Sequence, residues 1–214
     1  MFDLVEWAFE AVASIPEASV SAYAAVRNRA VDRVSFGATR ACAIEDARDG
    51  ESVRIRGRLQ AAPEAGALRA PVSGEPCVAW TVKVFRRETL WREHELLHLC
   101  ADAGESLSLH LVHTGGVAHL GSGFLDLAVE PVDVPGHALS EESRGALRRI
   151  LEARDLDEGA LEGSLVRERR LSASALVEVG GVASHRTTRR GYRDAGSALW
   201  LLPLPSGQLP VRAL

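Results

Sequence analysis

The sequence predicts an α+β fold: a β-rich, curled or barrel-like, mainly antiparallel sheet, with an N-terminal helix before it and one inserted helix. Three observations predict it. Apolar residues recur at helical spacing over the first fifteen residues and again after Ser140. Between Gly50 and Pro135 they alternate with polar residues at period two, and the same alternation returns over residues 175–183.

Phe2, Val5, Phe9 and Val12 share one face of a helix that stops before Pro16, while Asp3, Glu6 and Glu10 lie elsewhere. Its polar side is acidic where a membrane-surface helix is usually basic, so it reads as a packed surface helix. Residues 19–28 continue as a second short helix, and 1–49 is set off as an N-terminal helical segment. Val53, Ile55 and Leu59 then alternate with Arg54, Arg56 and Arg58, and Val78, Trp80, Val82 and Val84 alternate after Pro76. Leu107, Leu109 and Leu111 alternate with Ser108, His110 and Val112, and residues 124–134 form another extended stretch ending at Pro135-Gly136. Ser140 caps a helix with Glu141 and Glu142 in its first turn; Leu147, Ile150 and Leu151 turn inward, and Asp155-Leu156-Asp157-Glu158 is its solvated end. Glycine follows the alternating runs at Gly57 and Gly180, where a curled sheet bends or bulges. Residues 50–186 therefore read as the β-rich domain. Residues 187–214 read as a tail, first basic through Arg189, Arg190 and Arg193 and then Pro-rich.

A chain of 214 residues that is 46% hydrophobic can bury one sizeable core. Its formal charge is −4 and its arginines are spread among acids, which argues against nucleic acid as a partner. Three widely spaced cysteines are unlike a secreted disulfide framework and fit a reducing compartment, so a cytoplasmic location is expected. The opening residues carry no basic region before an apolar stretch, and no run approaches the roughly 20 apolar residues of a membrane span; no signal peptide and no intrinsic span are expected.

His94-Glu95-Leu96-Leu97-His98 has the HExxH form, in which two histidines one helical turn apart hold zinc and the glutamate activates the bound water. On that reading His94 and His98 are ligands, Glu95 is the general base and the chain is a zinc-dependent peptidase. Three features oppose it. Arg92 and Glu93 place charge just before the first histidine, and Ala101 and Gly104 stand where the extended pattern has glycine and a third ligand. A third ligand would then have to come from His110, His113, His119 or a distant acid. Alternation over residues 91–99 also fits a strand, which would hold the two histidines about 13 Å apart. The balance favours no catalytic residue, no metal and no cofactor.

The stretch from Val53 to Phe85 runs through a strand ending in Gly57, a loop, and then Leu68-Arg69-Ala70-Pro71-Val72-Ser73-Gly74-Glu75-Pro76-Cys77-Val78-Ala79-Trp80. It resembles the BAM or GIDE domain, in which a strand and glycine lead to an "APLSG, PCV, aromatic" turn. Phe124-Leu125-Asp126-Leu127 with Val129 is similar to that family's "FxLxD … V" strand. Glu168-Arg169-Arg170-Leu171, followed by Val177-Glu178-Val179-Gly180-Gly181, is similar to its closing element. The resemblance covers roughly residues 50–186. It implies the domain found in mitochondrial outer-membrane RING ubiquitin ligases and in prokaryotic membrane-associated proteins: a non-catalytic interaction or regulatory module with a protein partner, as in a membrane-associated complex. A RING holds two zinc ions with eight ligands, mostly in CxxC pairs, and this chain has no CxxC, so ubiquitin transfer is not carried over. Read as residues alone, Pro71 and Pro76 fix φ, Gly74 permits positive φ and Cys77 opens a strand as a small apolar residue without a neighbouring base, which describes a structural turn.

Overall fold

The computed structural model describes residues 36–90, 94–121, 124–190 and 194–214. The two helices expected over residues 2–15 and 19–28 lie outside the described residues. Residues 36–49 hold turns and the short strand β1 (Arg40–Ala41) in place of helix.

The strands follow in order as β2 (Ser52–Ala61), β3 (Leu68–Arg69), β4 (Pro76–Cys77), β5 (Ala79–Leu90), β6 (His94–Ser106), β7 (Leu109–His113), β8 (Gly116–Leu120), β9 (Phe124–Ala128) and β10 (Val132–Pro135). After the helix α1 (Glu141–Glu152) come β11 (Ser164–Leu171), β12 (Leu176–Arg190), β13 (Asp194–Leu202) and β14 (Gln208–Ala213).

Five of these strands close a barrel in the order β2-β7-β8-β13-β12, with β12 pairing back onto β2. Four of the contacts are antiparallel, and β8–β13 is parallel. The alternation read from the sequence points inward as expected: Val53, Ile55, Leu59, Leu111, Val177 and Val179 are fully enclosed. β14 extends the sheet from the lower half of β12 and carries β9 at its far side.

The loop between β2 and β7 and the segment between β8 and β12 together build a second sheet, β10-β11-β5-β6, antiparallel throughout. α1 packs on it. Leu147 and Leu151 join Val82, Val84, Ala101 and Val166 in a core separate from that of the barrel. The Ser140 side chain accepts from Ser143 N at 3.1 Å, as the cap expected there should. The extended stretch 124–134 divides between the two sheets, β9 going to one and β10 to the other.

The reading of residues 187–214 as a tail is corrected by the structure. β12 runs on to Arg190, β13 closes the barrel and β14 lies beside β12, with Leu199, Leu201, Leu209 and Val211 buried. The period-two signal was masked because the outward positions of β13 are themselves apolar or aromatic, as at Ala198, Trp200 and Leu202. Pro210 is tolerated because it lies one residue before Val211, the first residue of β14 with a partner on β12. Among the described residues, no helix is long and apolar enough to cross a membrane.

Gly57 marks a tight approach in the barrel wall. A Cβ there would meet Leu111 Cγ and the carbonyl oxygen of Val112, each at 2.8 Å. Gly57→Ala is therefore expected to lower stability by about 1–3 kcal/mol. Gly145→Ala, on the exposed side of α1 where a Cβ meets nothing within 4 Å, should raise it by about 0.5–1 kcal/mol. Paired denaturant melts would check both signs.

Candidate binding site

The turn formed by residues 70–77 folds as its composition requires. Gly74 takes φ +68°, Gly74 N donates to Ala70 O at 2.9 Å, and Ala70 N donates to Glu75 O at 3.0 Å. It is held from both sides. Glu168, on β11 opposite Val82, is 1% exposed, and its Oε2 accepts from Val72 N at 2.7 Å and Ser73 N at 3.3 Å. From the helix, the buried Ser143 hydroxyl donates to Val72 O at 2.9 Å. Arg170 Nη1 donates to Ser73 Oγ at 3.2 Å and lies 4.0 Å from Glu168 Oε1. A buried carboxylate without hydrogen bonds would be costly, so the two backbone N–H groups and the turn fix each other.

Cys77 is buried behind this clamp. Burial, with the Glu168 carboxylate adding to it, pushes its thiol up to about 11. A nucleophilic cysteine needs the opposite shift. Beside the turn lies a groove of about 800 Å³, walled by Pro71, Val72 and Trp80 on the sheet side and by Ala146, Arg149 and Ile150 of α1.

The other residues singled out in the sequence are dispersed through the fold. Asp126, 6% exposed, lies 3.8 Å from Lys83 Nζ and so links β9 to β5. The Phe124 ring packs against Gly104, and Leu171 sits in the barrel core with its carbonyl accepting from Val78 N at 2.8 Å. Gly180 lies where a Cβ would meet Phe36 and Pro210, each at 3.0 Å.

His94, Glu95 and His98 lie on β6, paired with Leu90, Thr89 and Arg86 of β5. The helical reading of HExxH is thereby corrected: on a strand, residues four apart are separated by about 13 Å and do not share one ion. His98 Nε2 lies instead 2.6 Å from Glu88 Oε2. Among the described residues, no group of three His, Cys, Asp or Glu is placed to hold a metal.

Sequence reasoning missed a charged cluster on the barrel. Glu178, 1% exposed, lies 3.3 Å from Arg54 and 3.2 Å from Arg56, and it also accepts from Arg212. The guanidinium groups of Arg54 and Arg212 cover the Phe36 ring. The participants come from three strands, with Arg56 and Glu178 separated by 122 residues, so no local pattern announces them.

A scan of protein-family models finds no match to this chain, and neither does a search of curated proteins or of solved structures.

Two outcomes are expected. Burial raises the Glu178 carboxyl, but the hydrogen bonds from Arg56 and Arg212 and the charges of Arg212 and Arg54 outweigh it and hold the group below its ordinary value. A carboxyl depressed in the folded chain stabilises above its unfolded pKa of about 4.3 and loses that contribution as pH falls through the folded value. Glu178→Gln should therefore cost about 1–3 kcal/mol at pH 7, with the difference from wild type shrinking below pH ~4 in a series of melts. At Cys77, the raised pKa predicts alkylation by iodoacetamide at pH 8 about a hundredfold slower in the folded than in the denatured chain, read by mass spectrometry of its peptide.

Proposed function

We propose that this chain is a non-catalytic interaction module of the BAM or GIDE type, which holds a protein partner within a membrane-associated complex. The observation that supports the reading best is the clamp of Glu168 on the turn at Val72 and Ser73: two separate pieces of the resemblance, 96 residues apart, meet in one hydrogen-bonded joint. Other pieces serve the same end. Gly57 lets the barrel wall close against Leu111, and Asp126 ties β9 to β5 through Lys83. Such positions maintain a shape, and a shape kept by buried joints suits a scaffold that presents a surface.

The partner contact is assigned to the groove between the turn and α1, where apolar walls from Pro71, Val72 and Ile150 are rimmed by charges of both signs, Arg69 and Arg149 with Glu105 and Glu142. Ubiquitin transfer forms no part of the proposal. The strand conformation of residues 94–98 leaves the zinc-peptidase alternative without geometric support.

A photocrosslinking amino acid at Ala146 in the groove, compared with one at exposed Glu130, tests this reading in cells at native expression. A discrete protein adduct from position 146, recovered with the membrane fraction and absent from position 130, is the expected result. Equal labelling from both positions, or no adduct from position 146 in a protein shown to be folded, overturns it.

A further inference from the structure

The barrel carries a second surface, remote in sequence from the turn. Gln60, His110, His119, Trp200 and Ser184 are successive cross-strand neighbours on β2, β7, β8, β13 and β12. Their sequence neighbours Leu109, Leu111, Ala118, Leu199 and Leu201 fill the barrel, so this row faces outward. The rings of His110 and His119 meet edge to face with centroids 4.4 Å apart. His119 and Trp200 stack at 4.9 Å with 18° between their planes, and the Arg186 guanidinium lies 5.0 Å from the Trp200 ring centroid. All three residues are partly buried.

In the adjacent row Arg58, Val112 and Val117 line β2, β7 and β8, and Val117 is 43% exposed. A cleft of about 490 Å³ opens beside Trp200, with Ser106, Ser108 and Gly121 along its edge.

Among the side chains described, Arg58 and Arg186 lie beside this row, Arg58 Nη1 donating to Ser174 O at 3.2 Å, while Arg54 and Arg56 belong to the Glu178 cluster. Other acids stand at the margins. Glu45 lies beside Gly115 at the β7–β8 turn, and Asp49 accepts from His185 N at 2.7 Å. Two arginines thus lie beside the aromatic row of a chain whose net charge is −4.

We infer that this face binds single-stranded nucleic acid, with bases stacked on Trp200 and His119 and phosphates met by Arg186 and Arg58. Stacked aromatic rings flanked by arginine accept the flat faces of unpaired bases, which a duplex keeps covered. The placement has an independent support: β7 and β8 are the second and third strands of a five-stranded closed barrel, the pair whose outer face takes oligonucleotides in barrels of the OB type.

The test is fluorescence anisotropy of the full chain with a labelled 15-nucleotide oligothymidine, at several salt concentrations. Wild type is expected to bind with salt-sensitive affinity. Trp200→Ala should weaken binding about tenfold or more, and Trp200→Phe, which keeps a ring, should stay within about threefold. Arg186→Ala should weaken binding and lower the slope of log affinity against log salt by about 0.7. Thermal melts show which variants remain folded, and Trp200→Phe with Arg186→Ala keeps the test decisive if Trp200→Ala does not. No binding by wild type at about 100 µM protein overturns the inference. So does equal affinity for a duplex of the same length, or binding that neither Trp200→Ala nor Arg186→Ala alters.

Discussion

The pairing of β12 with β2, from Leu176 opposite Arg58 to Val182 opposite Ser52, is the constraint on which the other elements depend. It turns an open sheet into a ring, and a ring has no exposed edge to attract another chain. It also decides where everything else can go. Once β12 has β2 on one side, its other side is shared between β14 at residues 177–179 and β13 from Val182 onward. β9 reaches the barrel through β14, and β9 in turn positions Asp126 against Lys83 of the second sheet.

Three buried carboxylates sit at the seams of this arrangement, and each is matched to donors that a different part of the chain supplies. Glu178 gathers arginines from β2 and β14, Asp126 meets the single lysine, and Glu168 receives two backbone N–H groups from the turn. Enclosing a charge costs several kcal/mol unless its partners are already in place, so each seam discriminates strongly against near-native alternatives. The apolar cores supply most of the driving force, and the carboxylates make the register specific.

Much of the fold was legible in the sequence wherever one face of an element is buried and the other is wet. Val53, Ile55 and Leu59 announced β2, and Ser140 with its acidic first turn announced α1. The signal failed at β13, because Trp200, Ala198 and Leu202 are apolar on the outward side as well. At residues 94–98 a metal-binding pattern and the alternation of a strand coincided in the sequence, and the structure has the strand, at one edge of a long hairpin. The turn at residues 70–77 could be recognised as a structural device, since proline and glycine write their conformations locally. Its clamp by Glu168 and the row of His110, His119 and Trp200 could not, because cross-strand neighbours of this kind are set by register, which a single sequence does not display.

The barrel's connectivity also bears on how the protein is made. β2 leaves the ribosome with one edge destined for β7 and the other for β12, and β8 waits for β13 in the same way. At ordinary rates of synthesis, roughly ten seconds separate the emergence of β2 from that of its second partner. Through that interval the second sheet and α1 are available to form, since β5, β6, β10 and β11 all precede β12. The inserted layer thus acts as a companion assembled within the nascent chain, beside half-made strands whose remaining edges are filled last.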